Sequence, residues 1–261
     1  MKLALIKGYR SFPQPRKKGK CPLCGGDVLS KCGKKVIWHW AHVSTKHCDF
    51  WWENETQWHR DWKNNYPDEW QEVIHFNSID GEKHIADVKT DDGIVVEFQN
   101  SPISSEELEQ RETFYKDIVW VVNGEKFKKN FHILHALPDP NSYLVEDVVF
   151  FPRKHDHDGK LFFRRSENPG NPSMVQIHSV HEIQEIIDKE YRGHHLYDWV
   201  RPRTVWYESN AKVYIDFGSE LLWNLQIYDA RGLFCVQAIS RNRFLRNTGG
   251  HVKNQKKLKL T

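Results

Sequence analysis

Residues 84–104 read HIADVKTDDGIVVEFQNSPIS, and Glu97 stands inside the apolar run IVVEF. A carboxylate within a strand is costly unless something pairs with it, so this stretch constrains the fold. HIADV and IVVEFQ are β-rich runs separated by Thr90-Asp91-Asp92-Gly93, whose glycine accepts a positive φ, and together they predict a hairpin. A three-residue loop, Asp91 to Gly93, puts Thr90 opposite Ile94, Asp87 opposite Glu97 and Ile85 opposite Gln99. A two-residue loop on Asp92-Gly93 puts Val88 opposite Glu97 instead. Opposed side chains lie roughly 5 Å apart at Cβ, close enough for two carboxylates to repel unless a cation separates them. Strand alternation puts Val95, Glu97 and Gln99 on one face and Ile94, Val96 and Phe98 on the other. The second face reads as core and the first as the wall of a cleft.

The composition, 39% hydrophobic and 28% charged in 261 residues, is that of a globular chain. No stretch is apolar enough to cross a bilayer and no secretory segment follows Met1, so the expectation is a cytoplasmic protein without a membrane partner. The net charge is only +3, but residues 1–35 hold ten Lys/Arg and one acid, and residues 241–261 hold seven Lys/Arg and no acid. Two basic ends on a near-neutral body suit a polyanion such as nucleic acid; for the C-terminal end the alternative is a solvated tail.

Three regions are expected: an N-terminal segment over 1–48, a core over 49–135 and an α+β region with a basic tail over 136–261. Within the core, DFWWENETQWHRDWKNNYP reads as a helix capped by Asp49 and stopped before Pro67. Strands follow near 70–76, 82–89 and 94–99. SPISSEELEQRETFYKD is a second helix with a Ser104/Glu107 capping box, and IVWVVNG is a buried strand. The order is helix, three strands, helix, strand. The C-terminal region offers one helix, SVHEIQEIIDKEY, with a Ser179/Glu182 capping box, and strand-like runs RTVWYES, KVYIDFG, LLWNLQIYD and GLFCVQAIS. It has no chemical motif, and a DNA-contacting surface, a homo-oligomer interface and a protein-partner site within 150–261 all remain open. Phe150, Phe151, Phe162, Phe163 and Trp199 suit core and interface equally.

Four of the five cysteines fall within residues 21–48. An odd, clustered set points to metal rather than to a disulfide framework. CPLCGG brings Cys21 and Cys24 to one ion, with glycines that let the backbone turn around it. The second pair comes from Cys32, His39, His42, His47 and Cys48. His42 and Cys48 are favoured because they lie just before the first helix of the core. His39 reads alternatively as a ring buried between Trp38 and Trp40. A structural zinc ion would supply folding energy to a small Lys-rich segment and present Lys17, Lys18 and Lys20 to phosphates.

In the first helix Glu55, His59 and Lys63 are spaced i, i+4, i+8, beside an apolar side of Trp51, Trp58 and Trp62. That helix could deliver Glu55 and His59 to Asp87 and Glu97. The stretches CPLCGG, WHWAH, ENETQWHRDWK, HIADV, VEFQNSPIS and RETFYKDIVWVVNG together resemble the competence protein CoiA-like nuclease family, over a little under half the chain. That family is similar to the PD-(D/E)XK nuclease superfamily. The resemblance implies an α/β restriction-endonuclease-like core, a mixed sheet flanked by helices, beside the N-terminal zinc knuckle and a β-rich C-terminal region. It implies Mg²⁺ or Mn²⁺ held by Asp87, Glu97 and the Phe98 carbonyl, with Glu55 as the additional helix carboxylate and Gln99 placing the attacking water. It also implies cleavage of DNA in competence, with phage defence equally open. The family's usual lysine is Gln99 here, whose amide can orient a water but carries no charge. His59 and Lys63 are candidate phosphate contacts or proton shuttles, and Arg111 and Tyr115, at i, i+4 on the second helix, are candidate phosphate contacts. The alternative is a non-catalytic DNA-binding adaptor on the same fold.

Overall fold

The computed structural model describes residues 1–44, 48–51, 53–78, 81–154, 158–170 and 175–251. The expected ligand alternative His47 and the basic tail beyond His251 lie outside the described residues. The chain divides into two compact units, one of Met1–Val121, Glu208–Ala211 and the chain from Asn242, the other of Val122–Tyr207 and Lys212–Arg241. Neither division falls at 48 or 135.

The first unit opens with five short strands: β1 (Ala4–Ile6), β2 (Tyr9–Ser11), β3 (Lys18–Lys20), β4 (Asp27–Lys31) and β5 (His39–His42). They form a sheet in the order β2-β1-β3-β4-β5. Three- to five-residue strands are too short to show a period, which is why this segment reads as irregular in sequence. The segment is also less poor in apolar material than its lysines suggest. Met1, Ala4, Cys21, Leu23, Val28 and Trp40 make a small core that packs on Cys48, Ile74 and Ile85.

The first helix, α1, spans Gln57–Lys63 rather than starting at Asp49. Its cap is Thr56: Thr56 Oγ1 accepts from the His59 amide at 3.4 Å, and His59 Nδ1 accepts from the Thr56 amide at 3.1 Å. A reciprocal pair of this kind satisfies two donors that a helix start leaves open. Then come β6 (Gln71–Phe76), β7 (Lys83–Lys89), β8 (Val95–Gln99), α2 (Ser105–Tyr115) and β9 (Ile118–Asn123), in the order expected. In the sheet these strands lie β9-β8-β7-β6. β6–β7 and β7–β8 pair antiparallel. The Val95 amide donates to Asp117 O at 2.8 Å, so β8 and β9 begin at the same end and run parallel across the α2 crossover. Ser104 caps α2 through the Glu107 amide, but the Glu107 carboxylate turns to Arg111 instead of closing the box.

Both faces of β8 are buried, so neither is an open cleft wall. Phe98 stacks on Trp62 of α1 at 5.6 Å between ring centroids. Trp62 in turn meets Phe244 of the helix over residues 241–247 edge to face at 5.7 Å. Burial of these rings fixes α1 over the sheet.

The second unit carries β10 (Phe131–Pro138), α3 (Leu144–Asp147), β11 (Val148–Phe150), β12 (Leu161–Arg164), β13 (Ile177–Ser179), α4 (Gln184–Glu190), β14 (Tyr191–Trp199), β15 (Lys212–Asp216), β16 (Leu221–Ile227) and β17 (Phe234–Ser240). Antiparallel strands run in the order β10-β14-β17-β16-β15, with a separate sheet β11-β12-β13. The run RTVWYES is a 3-10 turn over Thr204–Tyr207 rather than a strand. The Ser179/Glu182 capping box is present at a 3-10 turn leading into α4. Phe150, Phe162 and Trp199 are buried, while Phe151 and Phe163 are half-buried. Among the described residues no helix is long and apolar enough to cross a membrane.

Candidate metal and catalytic sites

The hairpin settles the register. Thr90 N–H donates to Ile94 O at 2.9 Å, Gly93 has φ +89, and Val88 pairs with Val96, as the three-residue loop requires. Asp87 therefore faces Glu97. At that level the side chains replace the ladder: the Asp87 amide donates to Glu97 Oε1 at 3.0 Å, and the Phe98 amide donates to Asp87 Oδ2 at 3.1 Å. The β6–β7 register, Gln71 with Val88 and Val73 with Ala86, sets Glu72 opposite Asp87 in turn. Three adjacent strands thus carry carboxylates in one row.

Two cations reach this row. Lys63 Nζ lies 2.8 Å from Glu55 Oε1, 3.2 Å from Glu72 Oε1 and 3.4 Å from Asp87 Oδ1. Arg111 Nη1 is 3.3 Å from Glu97 Oε2, and its Nη2 donates to Trp51 O at 2.7 Å and Glu107 Oε1 at 2.5 Å. Lys63, Arg111 and Tyr115 are all nearly inaccessible. Lys63 and Arg111 do line the cleft, but each is already paired with carboxylates there, while Tyr115 packs against Trp51, His75 and Phe114. Lys17 and Lys18 are exposed, as a phosphate contact needs.

The remaining wall is the segment before α1. Glu55 does not stand on the helix, yet Lys63 still meets it, and Arg60 Nη2 pairs with its other oxygen at 3.0 Å. Glu53, not among the expected site residues, accepts a hydrogen bond from Gln99 Nε2 and lies 3.7 Å from His59 Nε2. Gln99 Nε2 also donates to Ser101 O at 3.2 Å. His59 is buried with Nδ1 held by Thr56, so its Nε2 side faces Glu53 rather than solvent. Asp49, expected as a cap, instead accepts from His84 Nδ1 at 2.8 Å and from the Ile85 amide at 3.0 Å. Glu53, Glu55, His59, Lys63, Glu72, Asp87, Glu97, Phe98 and Gln99 all line one pocket of about 70 Å³. Glu72 was legible only by counting the β6–β7 register, and Glu53 carried no signal beyond its nearness to Glu55.

The acids in this pocket are driven apart. Burial, followed by the Asp87 charge, pushes Glu97 up to about 8, and Arg111 only partly offsets this. Burial works in the same sense on Glu55, but Lys63 and Arg60 outweigh it and hold that carboxyl down at about 2. For Asp49 too, burial is opposed by hydrogen bonds from His84 and backbone amides, and the acid is lowered. Lys63 is held charged because Glu72, Asp87 and Glu55 overcome its desolvation. All-oxygen donors with one carboxyl that resists ionisation fit a hard divalent cation.

The knuckle is the second site. The ligand atoms of Cys21, Cys24, His42 and Cys48 all lie within 4.8 Å of one another. Cys21 Sγ and Cys48 Sγ are 3.4 Å apart, and Cys24 Sγ and His42 Nε2 are 3.5 Å apart. A tetrahedral ion with Zn–S bonds of about 2.3 Å needs sulfurs at roughly this spacing. The turn between the first two cysteines depends on glycine: Gly25 has φ +71, and a Cβ on Gly26 would stand 3.1 Å from Cys24 Sγ. Burial, compounded by the neighbouring thiols, pushes the Cys48 thiol far up, and burial also raises Cys21. Cys24 is lowered, the Gly26 amide and the neighbouring thiols overcoming its burial. Three thiols so close cannot all ionise without a cation between them, and the cluster could hold zinc. Cys32 and His39 are not in it.

Comparison with known families gives two matches. Residues 11–51 match the family described as competence protein CoiA, N-terminal domain, and residues 82–157 match competence protein CoiA, nuclease-like domain. The first contains all four knuckle ligands. The second contains Asp87, Glu97, Gln99 and Arg111, while Glu55, His59, Lys63 and Glu72 fall between the two. No curated protein and no solved structure matches the chain.

Proposed function

Because this chain is a CoiA-like competence protein by family, we propose that it is a metal-dependent nuclease that hydrolyses DNA phosphodiester bonds. The nuclease-like match supports a nuclease-related role in competence; the cation, the substrate and a setting in phage defence are our reading. The observation that carries it is the Asp87–Glu97 pair, whose carboxylates exchange hydrogen bonds with each other's strand backbone at the bottom of a pocket. Lys63 and Arg111 partly offset the charge of this pair, and Glu97, raised to about 8, still resists ionising until a further cation arrives, which supports a divalent ion as part of its working state.

In this reading Asp87, Glu97 and the Phe98 carbonyl hold Mg²⁺ or Mn²⁺, on the PD-(D/E)XK plan. The ion, when bound, supplies Lewis acidity toward phosphate and a water that loses its proton near neutral pH. Gln99 orients the attacking water through its amide, and Glu53 fixes that amide. Lys63 supplies the charge that the family's lysine would bring, since its ammonium stands 3.4 Å from Asp87 although it comes from α1. His59, its Nδ1 held by Thr56, positions Glu53. The knuckle holds a structural zinc and presents Lys17 and Lys18 to the DNA backbone.

One observation favours the adaptor reading: Lys63 and Arg111 already pair with the acids, and Glu53 occupies the Gln99 amide. Plasmid and oligonucleotide cleavage with Mg²⁺ and Mn²⁺, wild type against Asp87→Ala, decides between them. Cleavage lost in the variant supports the nuclease. Salt-sensitive binding with no cleavage by wild type selects the adaptor.

A further inference from the structure

Beside the acidic pocket lies a second cavity of about 270 Å³. It shares Met1, Asp49 and Ile85 with the acidic pocket, and His39, Trp40, Ala41 and Asn54 form the rest of its wall next to the knuckle residues His42 and Cys48. We infer that this cavity takes an unpaired nucleobase, so that the strand drawn to the acidic site is single-stranded DNA. The inference rests on the nuclease reading for the identity of the polymer, and on the cavity for its strandedness.

Size and position come first. Pockets for drug-sized ligands commonly measure about 300–1,000 Å³, and this one, at about 270 Å³, falls just below that range, room for one base and not for a base pair. A base can enter a pocket beside a reacting phosphate only when it is out of a duplex stack. The acidic pocket, at about 70 Å³, is the smaller of the two.

The wall chemistry suits a base edge. His39 Nδ1 lies 2.8 Å from Ile37 O, and a carbonyl only accepts, so Nδ1 carries the hydrogen. In the neutral ring Nε2 is then an acceptor for an exocyclic amino group. Asn54 offers an amide donor and acceptor from an exposed position. The half-exposed ring of His39 supplies a flat wall of the kind on which an unstacked base rests.

The N-terminal sheet, whose strand residues 39–42 line the cavity, also carries the complementary charge. Arg16, Lys17, Lys18 and Lys20 are exposed on the N-terminal sheet and its loops. The same segment exposes aromatic side chains, Tyr9 at 78%, Phe12 at 48% and Trp38 at 45%. Cations interleaved with exposed rings are the surface that tracks a single strand, since every unpaired base has a face to stack.

The test uses the full chain in Ca²⁺ at one fixed salt concentration, with a fluorescent oligo(dT) strand carrying one 2-aminopurine and the same strand annealed to its complement. The single strand is expected to bind at least about fivefold more tightly, the effect of roughly one stacked base, with a change in 2-aminopurine emission in the single strand alone. Ala41→Leu, which fills the cavity from a half-exposed strand position, and Asn54→Ala should each weaken single-strand binding severalfold. Both should leave the duplex affinity and the melting temperature unchanged. Equal affinity for the two DNA forms, or single-strand binding untouched in both variants, overturns the inference. A protein that prefers single strands but cuts no DNA refutes the nuclease reading and sustains this one.

Discussion

Glu97 gives the sharpest prediction, because two opposed effects act on one buried carboxyl. Burial and the Asp87 charge raise it to about 8, while Arg111 at 3.3 Å pulls the other way. An unfolded glutamate titrates near 4.3. Between these values the folded, metal-free protein holds one proton more than the unfolded chain. Its stability therefore falls as pH rises, by about 1.4 kcal/mol per pH unit, with the contribution complete below about pH 4 and lost through pH 8. From pH 6 to pH 8 the loss integrates to about 2 kcal/mol, since the slope flattens near 8. For a protein of this size that is roughly 4–8 °C in melting temperature. The assay is thermal unfolding in chelator across pH 6 to 9, wild type against Glu97→Gln. Taking the difference removes the histidines, which titrate in both proteins. The two should melt together near pH 6, and the variant should be the more stable above pH 8. Adding Mg²⁺ at pH 8.5 should restore wild type and leave the variant unmoved. A flat difference from pH 6 to 9, or wild type gaining on the variant as pH rises, would mean that Arg111 keeps Glu97 ionised and that burial has been overweighted.

Protein purified without added metal should carry about one zinc per chain by elemental analysis. Cys21→Ser should lose that zinc and lower the unfolding transition of the whole first unit, because Cys21 sits in the core that includes Ile74 and Ile85; protease resistance of residues 49–121 in the variant would count against this. Lys63→Met should cost about 3–5 kcal/mol by leaving buried Glu55 and Glu72 and half-buried Asp87 without that cation, and Lys63→Met with Glu72→Gln should recover part of it in a chemical denaturation series. Gln99→Ala should slow Mg²⁺-dependent cleavage by about ten- to a thousandfold, with DNA affinity in Ca²⁺ nearly unchanged; equal rates would remove Gln99 from water placement.

Much of the first unit was legible because its signals are local. The turn residues Asp91-Asp92-Gly93 and two β-branched runs specify the hairpin, and Ser104 marks the start of α2. Cys21 and Cys24 point to their partners because His42 and Cys48 close the segment. What failed depended on tertiary placement. The helix start at Thr56 lost to Asp49 in the sequence because a reciprocal Thr–His cap is less conspicuous than an aspartate before a tryptophan-rich run. Asp49 had another use, holding His84 and the Ile85 amide. Helical spacing brings Lys63 and Arg111 toward the cleft, but nothing local reveals that the carboxylates they meet come from β6, β7 and β8. In the second unit β10 and β14 went unrecognised, since HILHA and RGHHLYDW mix histidine and glycine into their alternation.

The cost of the acidic row bears on why it exists. Glu55, Glu72, Asp87 and Glu97 are drawn into one pocket around Lys63 and Arg111. Buried ion networks are weak stabilisers, and apolar side chains of similar volume would often serve the fold better. Glu72 adds backbone strain, with φ +48 in a region that costs a residue with a side chain about 1–3 kcal/mol. Its carboxylate accepts the amides of Lys2 at 2.7 Å and Leu3 at 2.9 Å, so the strained residue anchors the start of the N-terminal sheet while facing Lys63. Glu72 thus joins the N-terminal sheet to the acidic row, and any shift of Lys63 on cation binding must be felt at Lys2 and Leu3. A fold selected only for a stable surface would have no use for a strained glutamate, a glutamate raised to about 8 and a buried lysine in contact with one another's partners. With Glu97 holding its proton, Glu55, Glu72 and Asp87 face Lys63, Arg111 and Arg60, so the row is balanced near neutral pH, and in the proposed nuclease a divalent ion would enter as Glu97 gives up that proton and adds a fourth negative charge.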